Sequence, residues 1–134
     1  MPLVSALLLL AGEVPNVQVS VNAEGDLLVI GDKEDNNISI DGDGLEGNRI
    51  RIGFGQTLNG VPGPTELHLA RPRSGRLIVS LRDGDDTVWF FAALGSDKFF
   101  DLGAGDDFLD LTASSASAVI HAGPGNDHVH LDLE

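Results

Sequence analysis

Three acidic glycine corners recur near the C-terminus at nearly equal spacing: Asp83-Gly84-Asp85-Asp86, Gly103-Ala104-Gly105-Asp106-Asp107 and Gly123-Pro124-Gly125-Asn126-Asp127. Asp86 and Asp107 are 21 residues apart, and Asp107 and Asp127 are 20 apart. A fixed period of this size marks a repeat fold, because each copy must offer the same turn to its neighbours. Gly84, Gly105 and Gly125 hold one position of the corner, where a turn with positive φ or a close backbone approach excludes a side chain. Stacked corners also stack carboxylates, which requires a cation or many hydrogen bonds between them.

The flanking residues agree with this register. With Asp86, Asp107 and Asp127 aligned, Val79, Phe100 and Ile120 form one column, and Leu81, Leu102 and Ala122 another. After the corner, Val88, Leu109 and Val129 align, then Phe90, Leu111 and Leu131. All are apolar, whereas the intervening Ser80, Asp101 and His121 are polar, as outward positions on a two-residue strand period should be. A weaker copy places Leu28, Ile30, Ile38 and Ile40 in the four inner columns, with one residue added in the corner Gly31–Asn37. Ile50 and Ile52 then begin a further coil. Residues 53–76 drift out of register, punctuated by Pro62, Pro64 and Pro72, and read as a degenerate coil with a loop inserted around Arg71–Arg76.

No long stretch has helical periodicity, and short β-rich runs follow one another about every ten residues. The expected fold is all-β: a right-handed parallel β-helix or β-roll solenoid of about five or six coils of ~20 residues. It forms a single domain over 1–134, with an N-terminal strand or cap at 1–26, degenerate coils at 27–76 and regular coils at 77–134. The apolar run Leu3–Ala11 is too short to span a bilayer and lacks a basic flank, which leaves a capping strand or the remnant of a leader. The last coil has no obvious cap, so a longer array or end-to-end self-association is expected there.

Charge narrows the partners. The net charge is −13, and residues 83–134 carry ten Asp and Glu134 against Lys98 alone. Nucleic acid and anionic membranes are therefore poor partners, and divalent cations or basic surfaces better ones. No cysteine is present, which removes disulfides and thiolate metal sites.

The corner Gly103-Ala104-Gly105-Asp106-Asp107-Phe108-Leu109 resembles the nonapeptide motif G-G-x-G-x-D-x-U-x from its second glycine onward, and Gly123–Val129 fits equally. Residues 82–88 fit except for Arg82 at that glycine. The chain thus resembles the RTX (hemolysin-type) calcium-binding β-roll repeats of secreted bacterial proteins, and the degenerate β-helical arrays of large bacterial surface proteins. The resemblance covers about residues 77–133, with a faint echo at 27–40. It implies Ca²⁺ between stacked corners, with Asp86, Asp107 and Asp127 as carboxylate ligands and glycine-corner carbonyls beside them. The candidate metal set is Asp83, Gly84, Asp85, Asp86, Gly103, Gly105, Asp106, Asp107, Gly123, Gly125, Asn126 and Asp127. The family repeats its motif every nine residues, but here only one edge is acidic, so three corners leave room for at most two sites. A metal-free ladder, in which Asp and Asn cap backbone N–H groups, accounts for the same residues.

Other constellations carry less. His128 and His130 alternate on one strand, with Asp110 or Asp132 as a further ligand, but no fourth is evident for zinc. Ser80, Asp101 and His121 share one outward ladder without an oxyanion donor or pocket. Trp89 and Phe108 form a small aromatic patch suited to a glycan or a protein. Arg71, Arg73, Arg76 and Arg82 are expected to meet the chain's own acids, Asp83 or Asp85. The glycine pairs at 42–44 and 53–55 are turns, with no helix after them to cradle a phosphate. The expected function is a non-enzymatic, calcium-binding structural or adhesion module, extracellular or at the cell surface, with a cell-surface protein or glycan as partner. The alternatives are a metal-independent repeat and a β-helical carbohydrate-binding or carbohydrate-active module.

Overall fold

The computed structural model describes residues 14–42, 48–69, 76–92, 97–113 and 117–133. The strands are β1 (Asn16–Val21), β2 (Leu27–Ile30), β3 (Asn37–Gly42), β4 (Asn48–Ile52), β5 (Thr57–Leu58), β6 (Val61–Pro62), β7 (Thr65–Leu69), β8 (Leu77–Ser80), β9 (Thr87–Ala92), β10 (Lys98–Asp101), β11 (Phe108–Ala113), β12 (Ala118–His121) and β13 (His128–Leu133). No helix occurs among the described residues, and none is long and apolar enough to cross a membrane.

These strands build two sheets, ordered β12-β10-β8-β2-β1-β5-β6 and β13-β11-β9-β3-β4-β7. Four strand pairs, β2–β3, β8–β9, β10–β11 and β12–β13, each send one strand to either sheet. Within these pairs the ladders are parallel. Leu27, Leu77, Lys98 and Ala118 lie in line in one sheet, and Asn37, Thr87, Phe108 and His128 in the other. β1 runs antiparallel to β2, and β4 is antiparallel to both β3 and β7. β5 pairs parallel with β1 and antiparallel with β6.

The chain is all-β, but the expected right-handed parallel β-helix or β-roll of five or six coils does not form: both sheets mix parallel and antiparallel strands. The turning point is β4. Ile50 and Ile52 do not begin a coil; they lie opposite Ile40 and Ile38 on an antiparallel return. That return sets Arg49 directly across from Asp41, and both Arg49 (3.0 Å) and Arg51 (2.6 Å) reach the Asp41 carboxylate. Pro62 and Pro64 follow at the end of this path, where a missing N–H costs no central ladder bond.

A second correction concerns register. Leu27 and Val29, not Leu28 and Ile30, face inward, aligned with Leu77 and Val79. Val29 precedes Ile38 by nine residues, as Val79 precedes Val88, so the corner Gly31–Asn37 carries no added residue. The run Leu27-Leu28-Val29-Ile30 is apolar throughout, and a shift by one residue exchanges its two faces without a signal in composition.

The inward residues of both sheets form one core, centred on Phe90, Phe100, Leu102, Leu109 and Leu111. Phe90 and Phe100, from opposite sheets, meet edge to face with centroids 5.8 Å apart. Lys98 is buried at the margin of this core, its Nζ 5.9 Å from the Phe90 ring centre. At the other end β1 and β4–β7 are joined by single side-chain contacts. The Asn59 side chain accepts from Val19 N–H at 2.7 Å and donates to Val19 O at 3.1 Å. Gln56 does the same for Asn37 at 2.7 and 3.1 Å. The apolar run Leu3–Ala11 and the loop at 71–75 lie outside the described residues.

Candidate functional site: the acidic corner stack

Each strand pair turns from one sheet to the other through one corner. Gly105 and Gly125 take φ of 134° and 133°, and Gly84 takes 108°. A side chain at Gly105 would overlap Gly84 O, and one at Gly125 would overlap Gly105 O. Both the backbone angle and the approach of the neighbouring corner therefore demand glycine. Gly103 and Gly123 sit at φ of 84° and 85°, and Arg82 adopts the same turn at 72°. The departure at Arg82 thus changes the side chain and keeps the backbone. Asp83 bridges to Ala104, which stacks one corner on the next.

This geometry aims two rows of side chains at backbone amides of adjacent corners. In the inner row, Asp86 Oδ1 accepts from Asn36 N–H (2.7 Å), Asp107 Oδ1 from Asp86 N–H (2.9 Å) and Asp127 Oδ1 from Asp107 N–H (3.0 Å). In the outer row, Asp35 Oδ1 accepts from Asp85 N–H (2.8 Å), Asp85 Oδ1 from Asp106 N–H (2.8 Å) and Asp106 Oδ1 from Asn126 N–H (2.9 Å). The rows run in opposite senses. Inner carboxylates accept from the preceding corner, and outer ones accept from the following corner. Where the inner row ends, Asn36 turns back on its own corner. Its Oδ1 accepts from Asp32 N–H (3.1 Å) and its Nδ2 donates to Asp32 Oδ1 (3.2 Å). Asp32 in turn holds Asn16 N–H of β1 at 2.7 Å.

The rows differ in burial. Asp85 and Asp106 are exposed, whereas Asp86 and Asp107 are 1% and 2% accessible. The second oxygens of these two, Asp86 Oδ2 and Asp107 Oδ2, are buried without a hydrogen-bond partner. Burial of the charged form pushes the Asp86 carboxyl up to about 8, offset in part by the Asn36 N–H bond and reinforced by Asp107, Asp35 and Asp32. Asp107 is raised for the same reason, with Asp127, Asp85 and Asp106 adding repulsion. A neutral, protonated carboxyl avoids the cost of an unpaired buried charge.

Of the candidate metal residues, the structure brings Asp85, Asp106 and Asn126 into the outer row and Asp86, Asp107 and Asp127 into the inner row. Gly84, Gly103, Gly105, Gly123 and Gly125 shape the turns between them. The Asp83 side chain joins neither row. Ca²⁺ favours six to eight oxygens, and the oxygens here are of the right kind. Six corner carboxylate oxygens are engaged by amides, and among the described residues no three His, Asp or Glu side chains gather as a metal cluster. Among the described residues, the buried oxygens without a hydrogen-bond partner are Asp86 Oδ2 and Asp107 Oδ2.

Asp32, Asp35 and Asn36 belong to the stack and escaped the sequence reading. Their signal was available: Asn36 stands two residues before Ile38, as Asp86 stands before Val88. This corner lacks the repeated glycine, with Glu34 standing where the others have Gly84, Gly105 and Gly125, and so did not read as a copy. Arg76 pairs with Asp26 at 3.0 Å, not with Asp83 or Asp85. Trp89 and Phe108 do meet, with ring centres 5.0 Å apart, and His128 stacks flat on Phe108 at 5.4 Å. Asp101 aligns with His121 and with Ser80 as expected. No protein-family model, curated protein or solved structure matches the chain.

Proposed function

We propose that this chain is a non-enzymatic structural module whose acidic corners clamp neighbouring strand pairs together through hydrogen bonds. One observation carries this reading: in the corner stack, six carboxylate oxygens each accept a backbone N–H from an adjacent corner. Side chains committed to the backbone in this way are positioned to hold structure together. Each bond satisfies an amide whose loss would cost about 1 to 3 kcal/mol in a buried setting.

Calcium binding is the second reading, favoured by the two unpartnered oxygens of Asp86 and Asp107 and by the acidic C-terminal half. Asp86, Asp107 and Asp127 would be its ligands, with carbonyls of the glycine corners. The ion would supply the charge neutralisation that a proton otherwise gives the inner carboxyls, and its binding free energy would add to folding. This reading carries an extracellular setting with it, where calcium is abundant.

Thermal melts in EDTA, in millimolar Ca²⁺ and in Mg²⁺ separate the two, with Asp107→Asn alongside wild type. The clamp reading expects coincident melts in all three media. It also expects Asp107→Asn to stay as stable as wild type, because the amide oxygen still accepts from Asp86. A calcium-specific rise in Tm that is lost in Asp107→Asn would replace the clamp reading with the calcium one.

A further inference from the structure

The turn between β5 and β6 is the single Asn-Gly step in the chain, Asn59-Gly60. Thr57 pairs with Pro62 and Leu58 with Val61, so two residues make the whole loop. Both take positive φ, 49° at Asn59 and 79° at Gly60, in the hairpin turn for which Asn-Gly is favoured. The same pair is chemically labile. An asparagine side-chain amide can be attacked by the backbone nitrogen of the next residue, and glycine, with no Cβ, hinders that nitrogen least. The bond from Gly60 N to Asn59 Cγ forms, the Cγ–Nδ2 bond breaks, and ammonia leaves with the Gly60 proton. Water then opens the cyclic imide to aspartate, or to isoaspartate, whose backbone runs through the side chain.

The fold ties up both reacting groups. β5 pairs with β1 through Thr57 and Leu58 alone. Asn59 N–H still reaches Val17 O at 2.8 Å. The Asn59 side chain then stands in for the next peptide group of the ladder, accepting from Val19 N–H at 2.7 Å and donating to Val19 O at 3.1 Å. Gly60 N–H donates to Asn16 Oδ1 at 3.1 Å, beside the Thr57 hydroxyl, which donates to the same oxygen at 2.6 Å. The electrophile is thus held by one part of β1 and the nucleophile by another. Water has access, since Asn59 and Gly60 are exposed and line an open groove of about 570 Å³ with Gln18 and Ser20. Protection therefore rests on the contacts with β1 and not on burial.

From this arrangement we infer that Asn59 is a covalent modification site gated by the fold: it converts when β5–β6 comes away from β1, and conversion then keeps the two from rejoining. Separation frees the amide and the Gly60 nitrogen together. Aspartate sets a charged oxygen against Val19 O, where Nδ2 now donates, and two acceptors cannot share that bond. Isoaspartate lengthens the backbone of a loop that holds two residues. Either product also adds a negative charge to a chain at −13. Gln56 is the contrast. It holds Asn37 by the same pair of bonds, at 2.7 and 3.1 Å, but it is buried and needs a larger ring, and the nitrogen after it belongs to β-branched Thr57.

Incubation of the full chain in mildly alkaline buffer, native and in urea, tests this, with conversion followed by peptide mass mapping and by anion exchange. In urea Asn59 should be the first asparagine to convert. In native buffer it should convert at least about tenfold more slowly, because the reaction must wait for local opening. Asn16→Ala, which releases the Gly60 N–H, should convert faster than wild type in native buffer and at the wild-type rate in urea. Converted material, separated by its charge, should unfold at a lower urea concentration than unconverted material from the same sample, and Asn59→Asp should do the same. Equal rates in the two media, another asparagine converting first in urea, Asn16→Ala no faster than wild type in native buffer, or converted material as stable as unconverted would each overturn the inference.

Discussion

Between β8 and β13 each stabilising contact occurs two or three times; among β1 and β4–β7 most occur once. The first region stacks Val79 on Phe100 and Ile120, and binds Asp86 to Asp107 as Asp107 binds Asp127. The second rests on Asn59 with Val19, Gln56 with Asn37, and Arg49 and Arg51 with Asp41. Repetition fixes a backbone conformation tightly, because every corner must fit the next. Single contacts leave the intervening backbone freer.

Glycine substitution gives the widest separation between the regions. Gly105→Ala forces a Cβ into Gly84 O at φ 134°, and should cost about 3 kcal/mol or more or prevent folding. Gly53→Ala in the antiparallel region meets nothing within 4 Å, and should change stability by less than about 1 kcal/mol. Urea unfolding of the two variants measures the difference, and equal losses would mean that the corners are not rigidly matched.

Acidity separates the regions next. Folding raises Asp86 from an ordinary value near 3.8 to about 8, so the folded chain holds that proton longer. Its stabilising contribution is complete below about pH 4 and is lost as pH rises toward 8, a change on the order of a few kcal/mol. Asp26 behaves oppositely. Arg76 holds its carboxyl well below the usual range, and that contribution is lost as pH falls below about 4. Stability should therefore peak in mildly acidic solution. Asp86→Asn should flatten the decline on the alkaline side and leave the acid limb unchanged. A wild-type curve flat between pH 5 and 8 would count against a neutral Asp86.

Arg82→Gly is the mildest test. Arg82 takes the left-handed turn that Gly103 and Gly123 take in the next corners. Glycine there should add about 1 kcal/mol, visible as a higher urea midpoint at unchanged slope. No gain would mean that the Arg82 side chain itself contributes to the corner.

This contrast also explains what could be read from residues alone. The columns through Val79, Leu81, Val88 and Phe90 were legible because they recur at a fixed spacing, the first two with polar residues between them. The acidic corners were legible for the same reason. The path of β4–β7 was not, since a polar side chain meeting one distant amide leaves no period behind it. Nothing in Asn59 or Gln56 identifies Val19 or Asn37 as its partner. The all-apolar run at 27–30 concealed its own facing, and Glu34 in place of the corner glycine concealed Asp35 and Asn36. The burial that separates Asp86 from Asp85 depends on which side of a turn each faces, which composition does not encode.

The opposed senses of the two carboxylate rows have a consequence in time. A chain emerging from the ribosome presents its corners in order. Each outer amide, Asp85, Asp106 and Asn126, arrives to find an acceptor already made. Each inner amide, Asn36, Asp86 and Asp107, must wait for a carboxylate not yet synthesised. The exposed row thus ties each corner to one made before it, and the buried row ties each to one made after it.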